Sequence, residues 1–384
     1  MRNPLKDLAK HGQSIWYDNL NRDLIRTGGL QRMVDEDNVT GGTSNPSIFE
    51  KAVGAGDAYD ADIARLVDEN KSLTEIYDAL TTTDVQLSCD IFRPIYDRSS
   101  GADGFASLEV SPEIAYETAA TTADAKRLFA ALARLNGMIK IPGTPQGLPS
   151  IEECLADGCN INITLLFGVE NYAEVANAYI RALEKRLDRG ERVDNIASVA
   201  SFFVSRVDTL VDKKLDEAIA SGADKTKLDA LKGKAGVANA KIAYAKYKEI
   251  FAGPRWEKLA AAGARVQRCL WASTSTKNPT YRDVIYVEEL IGPETINTMP
   301  QNTLDAFKDH GQLRPSLEEN VDEAFAHVEA LARVGIDLRA VTDELQTQGV
   351  ELFSDSFRKA NDTVRRKRDK ILSEKGAGTA ARGD

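Results

Sequence analysis

Histidine and cysteine are scarce in this chain, three and four residues respectively in 384. His11, His310 and His327 are too scattered to build a histidine-rich metal site without carboxylate or thiolate help, so chemistry free of metals and cofactors is expected. Cys89, Cys154, Cys159 and Cys269 are too few for a disulfide framework, and the 154/159 spacing is neither a redox nor a zinc pair. They read as reduced core thiols of a cytoplasmic protein. No run of 18 apolar residues occurs, and no apolar stretch of seven follows the basic residues near the start. Neither a membrane span nor a secretory signal is expected. Positive charge is also short, 49 Lys+Arg against 59 Asp+Glu for a net charge of −10, which argues against a nucleic-acid partner.

What is present is the material of a large folded core: 42% hydrophobic and 28% charged residues. The length fits two or three ordinary domains, or one α/β barrel of roughly 250 residues or more. Short apolar runs alternate with helical periodicities, the pattern of βα units around a parallel sheet. Strands are predicted at 14–19, 39–45, 104–110, 138–142, 160–166, 198–205, 266–273 and 285–290, which is the barrel number. Between them lie amphipathic stretches such as Tyr172, Val175, Ala176, Tyr179 and Leu183, suited to an outer ring of helices. The expected architecture is a single (α/β)8 TIM barrel over 1–375.

Two segments exceed a plain barrel. Residues 224–262, rich in Ala and Lys, read as a helical insertion after the sixth strand. Residues 345–372 carry Leu345, Leu352, Phe353, Phe357, Ala360 and Val364 at positions suited to a long final helix. The basic run RRKRDK at 365–370 falls near that helix's C-terminal end, where cations complement the dipole, so a solvated face is expected rather than a nucleic-acid patch. The closing stretch 376–384 reads as a disordered tail.

Strand parity points to the chemistry. Successive side chains on a strand alternate between faces. In NINITLL, Ile161, Ile163 and Leu165 share one face, leaving Asn160, Asn162 and Thr164 towards the barrel axis. The same sorting groups Trp16 with Asp18, Thr43 with Asn45, Ser107 with Glu109, Met138 with Lys140, and Ser201 with Phe203. The polar members fall late in their strands, at the end where barrel active sites assemble. Lys140 interrupts an apolar run, Met138-Ile139-Lys140-Ile141-Pro142. It is either a strand-end lysine reaching solvent or a desolvated nucleophile that condenses with carbonyl substrates. The inward carboxylates Asp18 and Glu109 favour the second reading, because Schiff-base and C–C bond steps need proton transfers.

Seven segments together resemble the transaldolase family, in its longer actinobacterial form. They are SIWYDNLNRD (14–23), GGTSNPSIF (41–49), SLEVSP (107–112), MIKIPGT (138–144), NINITLLF (160–167), SFFVSRVD (201–208) and TSTKNPTY (274–281), in order along the chain. The resemblance implies a metal-free class I aldolase on an (α/β)8 barrel. Such an enzyme moves a dihydroxyacetone unit from sedoheptulose 7-phosphate or fructose 6-phosphate to glyceraldehyde 3-phosphate or erythrose 4-phosphate, in the non-oxidative pentose phosphate pathway. Sugar phosphates are then the partners, and monomer and homodimer both remain open.

Carried over by residue, the resemblance makes Lys140 the Schiff-base lysine and Asp18 the acid/base at the C4 hydroxyl. Glu109 and Thr164 would hold the water that shuttles protons during carbinolamine dehydration. Asn45, Asn162 and Ser201 would hold the hydroxyls of the dihydroxyacetone unit, with Phe203 packed beside the sugar. Arg206 matches the family's phosphate-binding arginine. A second family arginine, in a segment A-S-F-R, is replaced here by Ala272-Ser273-Thr274-Ser275-Thr276-Lys277, which makes Lys277 the expected substitute and Ser273, Ser275 and Arg282 the next candidates. Short aldolase relatives that do not transfer the unit replace the glutamate by tyrosine, whereas this chain keeps Glu109.

Overall fold

The computed structural model describes residues 3–380, with side chains up to Lys375. Eight parallel strands, β1 (Gln13–Tyr17), β2 (Val39–Thr43), β3 (Ala106–Glu109), β4 (Gly137–Pro142), β5 (Ile161–Leu166), β6 (Ser198–Phe203), β7 (Arg268–Ala272) and β8 (Thr295–Met299), pair in chain order and close β8 onto β1. This is the (α/β)8 barrel. Its interior is packed rather than hollow: Trp16, Met138, Val199, Leu270 and Ile296 form one cluster about the axis. The opposite faces, including Ile139, Ile141, Ile161, Ile163, Phe202 and Trp271, pack with Tyr172, Val175, Ala176, Tyr179 and Leu183 of the helix Val169–Asp188. Gly41 on β2 makes room for the largest interior ring, since a Cβ there would lie 2.5 Å from Trp16 Nε1. The four cysteines are buried free thiols.

The segment 224–262 is helical, as Lys225–Asp229, Ala235–Ile250 and Pro254–Ala261. The final helix is longer than expected, Leu338–Ala380, and so runs five residues into the stretch 376–384 read as a tail; residues 381–384 lie outside the described ones. That helix buries Ala360 and Val364 against Phe49, Val53, Tyr59 and Ile63. Gln346 ties it to the barrel, its amide nitrogen donating to the carbonyls of Gly143 and Leu165 at 3.0 and 3.2 Å. The basic run 365–370 is engaged in ion pairs: Arg365 with Asp362 at 2.6 Å, Lys367 with Asp60 at 2.5 Å, and Arg368 with Asp369 at 2.7 Å. Among the described residues no helix is long and apolar enough to cross a membrane.

Two further expectations are corrected. The eighth strand is not at 285–290, where the chain forms the short helix Ile285–Glu288, but at Thr295–Met299. Its outward face carries Thr295 and Asn297, which bond to Gln13 and the Gly292 carbonyl and to the Tyr286 carbonyl, so hydrogen bonds replace the apolar stripe that would have betrayed a strand. Leu165 does not share a face with Ile161 and Ile163. Its φ of +58° puts it in the left-handed region, and the β5–β6 register shifts between Ile163 and Leu166. Leu166 takes the outward position, while Leu165 packs under Gly349 of the final helix, where a Cβ would come within 3.0 Å of it.

Candidate active site

The C-terminal ends of the strands open into a cavity of about 470 Å³, lined among others by Asp18, Asn45, Lys140, Thr164, Ser201, Phe203, Arg206 and Lys277. Lys140 stands midway along β4, with Ile139 and Ile141 turned into the outer core. Only 5% of it is exposed, which removes the snorkelling reading. Register places it between Glu109 of β3 and Asn162 of β5. Its Nζ lies 3.7 Å from Glu109 Oε2 and 5.8 Å from the ring centroid of Phe353.

Glu109 is the most perturbed acid of the group. Burial pushes its carboxyl up to about 7, with the Lys140 charge opposing and the Asp18 charge adding to the shift. Neither of its buried oxygens has a hydrogen-bond partner, and the buried Thr164 hydroxyl has none either. Buried polar atoms are normally paired, so these three are free to hold a proton-carrying ligand beside the lysine. Asp18, one residue past β1, is oriented by the Thr43 hydroxyl, which donates to its Oδ1 at 2.6 Å.

Asn162 does not line the cavity. It is fully buried beside Lys140 in register, donating to Ser107 Oγ at 3.0 Å and accepting from Ser201 Oγ at 2.6 Å, so it fixes the hydroxyl of Ser201. Asn45 does line it, and its side-chain oxygen caps the helix Pro46–Gly54 by accepting from the Ile48 N–H at 3.1 Å. Its NH₂ remains for a ligand.

Arg206 is the second residue of the helix Ser205–Ala220, which follows β6, and lies 5.6 Å over the Phe203 ring. Among the described residues it forms no ion pair, and Asp208, its nearest acidic neighbour in sequence, instead accepts from Gly236 N–H and Tyr286 OH. Lys277 comes from the loop after β7 and donates to Ser275 Oγ at 2.6 Å. Burial and the Arg206 charge both hold the Lys277 ammonium below the usual lysine range. The Asp18 charge acts on Lys277 in the opposite sense, but neither cation forms an ion pair among the described residues, and two such cations at one mouth make a site for an anion with more than one charge. Of the alternatives, Ser273 and Ser275 line the cavity, whereas Arg282 is committed to Glu288 by two bonds of 2.6 and 2.8 Å.

The family model described as Transaldolase/Fructose-6-phosphate aldolase matches residues 15–364. The chain belongs to the transaldolase/fructose-6-phosphate aldolase family. It is similar to Transaldolase 2 of a Nostoc species, 48% identical over 361 residues that cover 92% of this chain and 95% of the relative. A Transaldolase of a Parafrankia species is 45% identical over 366 residues, covering 95% and 98%.

Several lining residues of this family member escape sequence reasoning. Thr298 was hidden with β8. Leu352, Phe353 and Ser356 reach the cavity from the final helix. Their helical spacing signals a buried face without saying what it covers. Ser47 and Lys51 enter from the helix Pro46–Gly54.

Proposed function

We propose that this chain is a transaldolase working through a Schiff base at Lys140. The observation that carries the reading is the buried Lys140, 3.7 Å from a glutamate whose carboxyl titrates near neutrality, at the floor of a cavity whose mouth holds Arg206 and Lys277. The substrate is a ketose phosphate, sedoheptulose 7-phosphate or fructose 6-phosphate, with its phosphate on the two cations and its dihydroxyacetone end on Asn45 and Ser201.

Glu109 takes a proton from the Lys140 ammonium through a water held with Thr164, and the freed amine attacks the C2 carbonyl; one N–H proton passes to the resulting alkoxide to give the carbinolamine. Glu109 then returns its proton to that hydroxyl, which departs as water and leaves the iminium. Asp18 takes the C4 hydroxyl proton, the C3–C4 bond breaks, and its electron pair moves into the iminium to give an enamine. The aldose phosphate leaves, and glyceraldehyde 3-phosphate or erythrose 4-phosphate accepts the enamine carbon. Hydrolysis then frees Lys140. Buried free thiols support a cytoplasmic site of action. The test is product analysis with fructose 6-phosphate. Transfer requires erythrose 4-phosphate and yields sedoheptulose 7-phosphate; release of free dihydroxyacetone without an acceptor would instead mark an aldolase.

A further inference from the structure

Lys277 stands on a loop, residues 273–284, between β7 and the helix Ile285–Glu288. A lysine on a loop is a movable charge, yet it has to meet the same phosphate as Arg206, which is fixed in a helix. The start of the loop is fastened to the barrel: the Ser273 carbonyl accepts from the Ser205 N–H at 3.2 Å, and the Thr274 hydroxyl donates to the Thr298 carbonyl at 2.9 Å. The tip, 277–281, bonds mostly within the loop, Lys277 to Ser275, and Thr280 and the Tyr281 N–H to Asn278. Among the described residues, one hydrogen bond joins the tip to another element. The Tyr281 hydroxyl donates to Asp212 Oδ2 at 2.7 Å.

Asp212 belongs to the helix Ser205–Ala220, which also carries Arg206, and lies about 9 Å further along its axis. Its other oxygen accepts from the Gly233 N–H at 3.0 Å. Gly233 is part of the segment 224–262 inserted after β6, and the Tyr281 ring rests on it: a Cβ there would come within 2.7 Å of Cζ, and the φ of +69° suits glycine. Three segments therefore meet at one carboxylate. The same arrangement occurs one turn earlier and deeper in the fold, where Asp208 accepts from the Gly236 N–H at 2.8 Å and from the Tyr286 hydroxyl at 2.7 Å. Residues four apart share a helix face, so one face of the Arg206 helix fastens both the insertion and the segment that carries Lys277.

Tyr281 itself is outside the active cavity. Lys277 lines both that cavity and a second hollow of about 510 Å³, whereas Tyr281 lines the second and not the first. Its route to the substrate runs through the lysine. We propose that Tyr281, held by Asp212 and Gly233, is a positioning residue that sets Lys277 relative to Arg206 so that both cations reach one phosphate. The inference rests on the phosphate reading of Arg206 and Lys277 given above, and it assigns the insertion after β6 a part in substrate binding.

The test is a double-mutant cycle on the KM for fructose 6-phosphate, with erythrose 4-phosphate as acceptor and unphosphorylated fructose as the control substrate. Tyr281→Ala should raise this KM by about threefold to tenfold with little loss of kcat, and Tyr281→Phe, which keeps the ring on Gly233, should raise it less. The KM for fructose should stay at the wild-type value. In a Lys277→Ala background, Tyr281→Ala should change the KM for fructose 6-phosphate by less than about twofold, because no cation is left there to place. Losses that multiply in the double variant, an equal effect on fructose, or an unchanged KM in both Tyr281 variants would overturn the proposal while leaving the phosphate reading intact. An unchanged KM in Lys277→Ala would remove the lysine from the phosphate site and the proposal with it.

Discussion

Replacing Arg206 should weaken substrate capture and at the same time stabilise the fold. The guanidinium sits largely buried over Phe203 without an ion pair among the described residues, and burial lowers its pKa, so the folded state bears a poorly compensated charge until a phosphate arrives. Hydrogen bonds to charged groups contribute roughly 1.5 to 3 kcal/mol. Losing one such contact in Arg206→Ala should lower kcat/KM for fructose 6-phosphate by about 10- to 150-fold, mainly through KM. Lys277 then becomes the only mouth cation of the pair, and it gains affinity for its proton because the repulsion from Arg206 is gone. It keeps some attraction for phosphate without the planar fork that fixes geometry. Arg206→Met keeps the apolar packing on Phe203 and should raise the melting temperature while losing as much activity as Arg206→Ala. The assay is steady-state kinetics with fructose 6-phosphate and with unphosphorylated fructose, alongside calorimetric melting. The weak turnover of fructose should not change. Equal losses on both substrates, or an unchanged KM for the phosphate ester, would refute the assignment.

Glu109→Gln should slow Schiff-base formation by about 10²- to 10⁴-fold, whereas Asp18→Ala should still form the adduct but fail to cleave the C3–C4 bond; borohydride trapping rates against turnover separate the two. Because the Glu109 carboxyl sits up at about 7 and must be ionised to accept a proton, wild-type trapping should rise with pH through about 7, and a Glu109→Gln profile with the same rise would refute its origin. Asp208 is buried with its carboxyl pushed up to about 6 by desolvation, so its contribution to stability is present below about 3.8 and lost as pH rises through about 6. Asp208→Asn can still accept from the Gly236 N–H and should gain up to roughly 3 kcal/mol at pH 8 but little at pH 4, as read by denaturant melts at the two pH values. Among the described residues no group of three His, Cys, Asp or Glu could hold a metal ion, and EDTA should leave the turnover rate unchanged; a loss restored by a divalent cation would contradict this.

The barrel is legible in the sequence wherever one face of a strand is apolar and the other polar. Met138-Ile139-Lys140-Ile141-Pro142 is the clearest case, because a single charge among isoleucines has only the barrel axis to face. β8 fails the same reading because the outward Thr295 and Asn297 are satisfied by hydrogen bonds that no periodicity reports. Leu165 fails it because one left-handed residue inverts the alternation after Thr164, a backbone choice that leucine's side chain does not advertise. The polar residues that converge on the cavity were readable strand by strand, since parity and lateness in the strand together set their direction. Asn162 shows the limit of that rule: it has the correct parity, but both ends of its amide are engaged with Ser107 and Ser201. The contribution of the final helix is invisible for a different reason. A 43-residue amphipathic segment announces a buried stripe, but its tie through Gln346 and the approach of Phe353 to Lys140 depend on where it crosses the barrel.

The central claim is that Lys140 forms the covalent bond to substrate. Borohydride reduction in the presence of fructose 6-phosphate, followed by proteolysis and peptide mass mapping, tests it most directly. The account predicts one reduced dihydroxyacetone adduct, on the peptide that contains Lys140, and none in Lys140→Met. An adduct on any other lysine, or turnover of fructose 6-phosphate with no trapped species at all, would contradict it.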